Sequence, residues 1–246
     1  TTLFQVTLPE TSSAVTVDGS AKTGFPFAQT LSKTSAHWLR DTYSTGYYVL
    51  AGNTIQVEKK SQTSPDQSGN GVTTTANYTN AYIDHDVAPK DGKYAYVVIP
   101  KTTDAAMAQF ASNMSSPSTR EFDILQQDAS AHIIRENATG VTGYSLFEVN
   151  TNLTGNDYIK GNTVPCVAML RVKDDTMTIS VVNPDINLVN NVSTAVPITI
   201  HLYGGWLKAN NKPAKYASLV SSGSEETLVQ FTAADGLPAE IVLVRT

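Results

Sequence analysis

A chain of 246 residues, 41% hydrophobic and 16% charged, is long enough to bury one large core or two smaller ones, and this composition excludes a fibre or a disordered polypeptide. A balance of 17 Lys and Arg against 22 Asp and Glu gives a net charge of −5, and no basic run exceeds Lys59-Lys60, so a nucleic-acid backbone is excluded as the expected partner. The single cysteine, Cys166, excludes an internal disulfide and every multi-cysteine metal site, and no apolar run is long enough to span a bilayer.

The chain starts TTLFQ, without an initiator Met or a charged-then-apolar leader, so its natural N-terminus is expected to lie upstream or to have been removed. Leu3–Leu8 alternates, with Phe4, Val6 and Leu8 on one face, and Ala14–Val17 runs into the tight-turn pair Asp18-Gly19. Gly24-Phe25-Pro26 breaks the pattern. Short strands follow at His37–Leu39, Gly46–Leu50 and Asn53–Lys59, the last with Ile55 and Val57 on one face. The polar stretch Ser61–Thr75 has no periodicity and reads as an exposed, mobile loop.

The stretch AYIDHDVAPKDGKYAYVVIP, Ala81–Pro100, constrains the rest most strongly. Two alternating runs flank a loop containing Pro89 and Asp91-Gly92. The second run, Tyr94–Ile99, is apolar or aromatic on both faces and is therefore expected to be a core strand covered on both sides. Thr102–Asn113 switches to helical spacing, with Met107, Phe110 and Ala111 on one side, Asp104 in the first turn and Thr103 as cap.

Ser115-Ser116-Pro117-Ser118 is a composition shift that suits a domain boundary, giving units 1–117 and 118–246. Beyond it the pattern returns to strands at Phe122–Gln126, Ala131–Arg135, Gly143–Val149, Val164–Val172, Thr176–Val182, Pro197–Tyr203, Tyr216–Val220, Thr227–Thr232 and Ile241–Val244. Asp174-Asp175 joins two of them as a hairpin. The expected fold is all-β, an antiparallel sandwich followed by a smaller one, with one short helix.

Candidate chemistry is sparse. Asp84-His85-Asp86 could form a general base or part of a metal site, but in a strand His85 points away from both acids, and a hydrogen-bonded strand-end histidine is the expectation. His37, His132 and His201 have no partner at metal-ligand spacing, so neither a metal nor a cofactor is expected. Trp38 and Trp206 are candidate sugar-stacking surfaces whose default place is a core. Tyr47, Tyr48, Tyr82, Tyr94 and Tyr96 could line a groove, although packing on sheets is their default. Lys59, Lys60, Lys90, Lys93, Lys208, Lys212 and Lys215 read as solvated surface, and Cys166 as a small core hydrophobe. Phosphate-loop, nucleophile-elbow and zinc-helix motifs are all missing.

Taken together, TTLFQ, AYIDHDVAPKDGKYAYVVIP, HIIRENATGVTGYSLFE, TISVVNPDINL, PITIHLYGGW and DGLPAEIVL resemble, in order and spacing, the C-terminal region of chondroitin ABC-type lyases, in the polysaccharide lyase family that also holds hyaluronate and chondroitin AC lyases. The resemblance implies that residues 1–117 are the later part of a large supersandwich and 118–246 a small C-terminal sandwich. It implies an exported or periplasmic bacterial enzyme that cleaves acidic glycosaminoglycans by β-elimination. In that family the Asn, His, Tyr and Arg of the reaction lie on a helical toroid that precedes the β-region, with a Glu from the early β-region in the ABC type. The likeness here begins after those positions, so no catalytic residue is carried onto this chain, and its expected partners are the toroid and the acidic polysaccharide. The alternative is a stand-alone carbohydrate-binding sandwich, which would need an exposed aromatic platform or a basic groove. An enzyme in its own right, built on Asp84 and His85, ranks below both.

Overall fold

The computed structural model describes residues 2–7, 14–85, 87–150, 153, 155–185, 188–189 and 192–246, with the backbone alone for 2–7 and 189. The chain divides into two compact units, 1–119 and 120–246, at the end of the serine-rich joint. Both are antiparallel β-structures.

The first unit contains β1 (Thr2–Thr7), β2 (Val15–Val17), β3 (Ser20–Lys22), β4 (Phe27–Leu31), β5 (His37–Arg40), β6 (Gly46–Val49), β7 (Thr54–Pro65), β8 (Thr73–Asp84), β9 (Tyr96–Ile99) and the helix α1 (Asp104–Met114). Leu8, the last residue of the first expected strand, lies outside the described residues. The strands form a four-stranded sheet, β1-β8-β7-β4, and a five-stranded sheet, β3-β2-β5-β6-β9. Val15, Val17, Leu39 and Val49 of the second sheet share one buried cluster with Leu31, Ile55, Val57, Ala81 and Ile83 of the first. Burying one face of each sheet in this way is what makes the unit a sandwich. Asp18 and Gly19 turn β2 into β3 with φ of 46° and 81°, the left-handed pair that a two-residue hairpin requires.

The other face of the five-stranded sheet carries α1. Thr103 caps the helix, accepting from the Ala106 N–H at 3.2 Å. Met107 is fully buried against Trp38 and Tyr48, with Val97, Ile99, Phe110 and Ala111 around them. Asp104 accepts from Thr16 Oγ1 at 3.2 Å and lies 3.2 Å from Arg40 Nε as an ion pair, which ties the first turn to β2 and β5. The helix sits this close only because β6 opens with Gly46. A Cβ there would stand 2.8 Å from Thr102 Cγ2 and closer still to Met107 Sδ.

Two expectations are corrected. Residues 61–65 and 73–75 are not a mobile loop but the distal half of a hairpin, in which β7 and β8 stay in register from Thr54↔Asp84 to Pro65↔Thr73. The ribbon is exposed over this half, so neither face needs apolar residues and the period of two vanishes from the sequence. Tyr94–Ile99 is likewise not a doubly covered core strand. β9 is the edge of its sheet, with Val97 and Ile99 packed under α1 while Tyr94, Tyr96 and Val98 are exposed.

The second unit contains β10 (Phe122–Gln127), β11 (Ala131–Glu136), β12 (Thr142–Leu146), β13 (Ile159–Asn162), β14 (Cys166–Lys173), β15 (Thr176–Val182), β16 (Leu188–Val189), β17 (Val192–Ser193), β18 (Ile198–Tyr203), β19 (Trp206–Lys208), β20 (Ala214–Lys215), β21 (Ala217–Ser222), β22 (Glu226–Phe231) and β23 (Ala239–Arg245). An eight-stranded sheet, β10-β11-β12-β14-β15-β23-β19 with β20 on β23, faces a four-stranded sheet, β13-β18-β22-β21. Ile133, Tyr144, Leu170 and Ile179 of the larger sheet meet Ile200, Leu202, Val229 and Phe231 of the smaller in one core. Asp174, at φ 53°, closes the expected hairpin, with Lys173 paired to Thr176.

Replacing Gly46 with Val should destabilise the first unit by about 1–3 kcal/mol, the usual penalty for overpacking a tight contact. Urea unfolding followed by Trp38 fluorescence in a Trp206→Phe background measures this. Adding Met107→Ala should recover part of the loss, whereas an unchanged midpoint for Gly46→Val would show that α1 is not seated on β6.

Candidate functional site

His85 follows the last residue of β8, one place beyond Asp84, while Asp86 lies outside the described residues. Its ring lies 5.5 Å from that of Tyr94, tilted by 47°, and Tyr94 stacks on Tyr96 at 6.4 Å and 14°. The 85–95 loop crosses from β8 in one sheet to β9 in the other, and alternation then puts Tyr94 and Tyr96 on the same side. Asn53 holds this loop by donating from Nδ2 to the Lys93 carbonyl at 2.7 Å. The result is a partly exposed aromatic row at one edge of the first unit, able to pack against a flat or apolar surface.

The other histidines lie in separate surroundings. His37 bridges Asp18 Oδ2, 2.7 Å from Nδ1, and the Ser32 carbonyl, 3.0 Å from Nε2, so it fastens the β2–β3 turn to the 32–34 loop. His132 packs edge-on to Phe147 at 4.9 Å. His201 Nδ1 lies 3.3 Å from Glu226 Oε1, which also receives Lys160 Nζ at 3.1 Å. Among the described residues no group of three or more His, Cys, Asp or Glu is placed to hold a metal ion.

Both tryptophans are buried, Trp38 at 6% and Trp206 at 1% exposure, so neither presents a face to a sugar. Trp206 Nε1 donates to the Tyr203 carbonyl at 2.9 Å, and the Arg245 guanidinium stands 5.4 Å from its ring. Tyr48 meets Phe110 edge-on beneath α1. Tyr47 donates to Asp41 Oδ2 at 3.3 Å, and burial, aided by that carboxylate, pushes its pKa up to about 12. Tyr82 is half-buried on β8.

Of the lysines, Lys59 corrects the surface expectation. It continues the inward row of Ile55 and Val57 on β7, is fully buried, and donates from Nζ to the Lys22 and Thr23 carbonyls at 3.2 and 3.4 Å. Burial lowers its pKa, since a charged amine is disfavoured away from water. A lysine on a buried face reads as surface in sequence because two backbone carbonyls, invisible there, satisfy it. Lys60 pairs with Glu58 at 2.6 Å, Lys215 lies 5.7 Å from the centre of the Tyr216 ring, and Lys90, Lys93, Lys208 and Lys212 are exposed.

The second unit holds a feature that sequence reasoning missed. On the outer face of the eight-stranded sheet, a shallow trough of about 470 Å³ runs between Ile134 and Met169, with Gly143 and Ser145 between them and Val167 alongside. Its signal is the outward row of β14, where Val167 and Met169 alternate with buried Cys166, Ala168 and Leu170. Among the described residues neither Lys nor Arg lines it, and His132 is the one basic side chain on its wall. It can therefore take an apolar ridge and offers little counter-charge to a polyanion.

Among known families, residues 1–111 match polysaccharide lyase family 8, super-sandwich domain. The chain is 29% identical over 245 residues to the chondroitin sulfate ABC endolyase of Proteus vulgaris, covering 99% of this chain and 23% of that enzyme. It is 28% identical over 232 residues to the chondroitin sulfate ABC exolyase of Bacteroides thetaiotaomicron, covering 84% and 22%. The chain thus spans less than a quarter of the length of these relatives. Among solved structures, a Paenibacillus xanthan lyase superposes with a TM-score of 0.74 at 19% identity, over 99% of this chain and 23% of that one, which shows a shared fold.

Two measurements check this placement. Burial raises the Cys166 thiol to about 12, so at pH near 8 about one molecule in ten thousand carries the reactive thiolate. Labelling by a disulfide reagent should be at least about 100-fold slower in the native chain than in urea, and comparable rates would place Cys166 at the surface. Glu226, held below its ordinary 4.5 by Lys160 and His201, contributes stability that is complete above that value and is lost as pH falls through its lower folded pKa. The gap in urea midpoint between the natural chain and Glu226→Gln should be full at neutral pH, narrow as pH falls below 4.5 and close once pH has passed the lower folded pKa. A gap independent of pH would contradict the ion-pair assignment.

Proposed function

We propose that this chain, whose residues 1–111 match the super-sandwich domain of polysaccharide lyase family 8, is the non-catalytic C-terminal β-region of an exported bacterial glycosaminoglycan lyase. The observation that carries this reading is the alignment along nearly the whole chain with a chondroitin sulfate ABC endolyase of which it covers only 23%. A region of that size, folded as two β-units, is a scaffold that the rest of the enzyme packs on.

The chemistry of β-elimination explains the division of labour. Removing the proton alpha to a uronate carboxylate requires that carboxylate to be neutralised, a base for the proton, and an acid for the leaving oxygen. These groups must converge on one sugar. Here the four histidines lie in separate surroundings, Tyr47 is engaged by Asp41, and both tryptophans are interior. The net charge of −5 also opposes the capture of a polyanion by this region alone. Chondroitin sulfate, the substrate that the names of the chondroitin sulfate ABC lyases carry, is the proposed substrate class, with dermatan sulfate and hyaluronan as related acidic polymers. The catalytic groups belong to the α/α toroid of the full-length enzyme, and this β-region supports that toroid and one wall of its cleft.

Incubating the purified chain with chondroitin sulfate while following the ultraviolet band of an unsaturated uronate, beside a binding titration, checks this. The expected result is neither product nor saturable binding. Saturable, salt-sensitive binding without product would replace the scaffold reading with a carbohydrate-binding module. Product formation would overturn it and make Asp84, His85 and Tyr94 the first residues to mutate.

A further inference from the structure

The tip of the β7–β8 ribbon carries the only Asn-Gly pair in the sequence, Asn70-Gly71. Pro65 and Thr73 are the last paired residues of the two strands, and Asp66 closes the loop by donating its N–H to the Val72 carbonyl at 2.9 Å. Through Oδ1 Asp66 also accepts from the Ser68 N–H at 2.7 Å and from Ser68 Oγ, which folds the first half of the loop. Gly69 and Gly71 stand on either side of Asn70 in the left-handed region, at φ of 69° and 73°. Residues 67–72 are all exposed, and among the described residues a Cβ built on either glycine would meet no atom within 4 Å. Asn70 therefore sits in water, next to a backbone nitrogen whose residue has no side chain.

Other asparagines are placed differently. Asn162 is 1% exposed, and its Nδ2 donates to the Glu148 and Val164 carbonyls, both at 2.9 Å. Asn53 donates to the Lys93 carbonyl and Asn137 to that of Arg120, at 2.7 and 3.0 Å. An amide held in this way loses those bonds if it turns its carbon toward the next backbone nitrogen. Asn77 and Asn80 lie within the paired strand β8, and each precedes a residue with a Cβ, Tyr78 and Ala81.

We propose that Asn70 is a self-modification site, at which the chain and water convert the side-chain amide to aspartate and isoaspartate through a cyclic imide. Hydroxide removes the Gly71 N–H proton, and the nitrogen attacks Asn70 Cγ. The N–Cγ bond forms, the Cγ–Nδ2 bond breaks, and Nδ2 leaves as ammonia with a proton from water, which regenerates hydroxide. Water then opens the imide. Cleavage at Cγ gives aspartate, and cleavage at the main-chain carbonyl gives isoaspartate, in which the chain runs through the former side chain. Nucleophile and target are neighbours in one chain, so the attack carries no cost of encounter. Either product makes the net charge one unit more negative than −5 and adds a second carboxylate to the loop of Asp66. Isoaspartate also lengthens the backbone by a methylene between Asp66 and Val72. The buried clusters of this unit, around Ile55, Val57 and Ile83 and around Met107, do not include the tip, so the modification marks the age of the molecule while leaving its cores intact.

The test is peptide mapping of the natural gene product after incubation at mildly alkaline pH. The tryptic peptide 61–90 holds Asn70, Asn77 and Asn80 together, so the last two serve as internal controls. An amide-to-acid mass gain should appear at Asn70, divided between two chromatographic forms, while Asn77 and Asn80 remain amides. Its rate should rise with pH, because the attacking group is the deprotonated Gly71 nitrogen, and Asp66 is the one titratable side chain in the 66–72 loop. Gly71→Ala, which adds a Cβ beside the nucleophile, should slow the conversion at least about tenfold. Asn70→Gln, which keeps both glycines and needs a six-membered ring, should slow it as well. Conversion at Asn70 no faster than at Asn77 or Asn80 would overturn the proposal. Aspartate as the sole product would overturn it too, since that marks direct hydrolysis, and so would a rate that either substitution leaves unchanged.

Discussion

The first unit depends on one sheet being buried on both faces. The five-stranded sheet meets the four-stranded sheet through Val17, Leu39 and Val49, and meets α1 through Trp38, Tyr48, Val97 and Ile99. The second contact is possible because Gly46 lets Met107 approach the backbone of β6, a distance that any side chain would forbid. Once α1 is seated, the position of β9 follows, and with it the row of Tyr94, Tyr96 and Val98 that remains open. This exposed apolar row is therefore a consequence of the close packing at Gly46.

The same constraint bears on function. Residues that would attract attention as chemistry, namely Trp38, Tyr48, Lys59 and Cys166, are consumed by cores, and each owes its place to packing or to a local hydrogen bond. Two largely apolar features remain at the surface: the β9 row on one unit and the trough between Ile134 and Met169 on the other. Surfaces of that kind suit protein neighbours better than a sulfated sugar. This agrees with a region that serves a larger enzyme as structure.

Much of the fold was legible because its signals are local. Alternation at Ile55 and Val57 marks β7, left-handed pairs such as Asp18-Gly19 mark turns, and Thr103, Asp104 and Met107 mark a capped amphipathic helix. The failures share a cause, which is that sequence records a side chain's polarity but not what lies opposite it. Tyr94–Ile99 has apolar residues on both faces, yet Val97 and Ile99 are packed under α1 while Tyr94, Tyr96 and Val98 stay partly exposed. Residues 61–65 and 73–75 are polar on both faces because the ribbon meets water on both, and they still pair residue by residue with the facing strand. Lys59 is interior because the Lys22 and Thr23 carbonyls happen to face it. The candidate site was legible mainly as separation: no spacing joined His37, His85, His132 and His201, and the fold keeps them in different surroundings.

The most direct test of the scaffold account is made on the natural enzyme. Lyase activity and solubility should be compared for the full polypeptide, for a version lacking residues 1–246 of this chain, and for that version with the purified chain added back. The account predicts that removal abolishes soluble activity and that the added chain, itself inactive, restores part of it. Full activity without the region would contradict the account, because the catalytic part would then need no support from it.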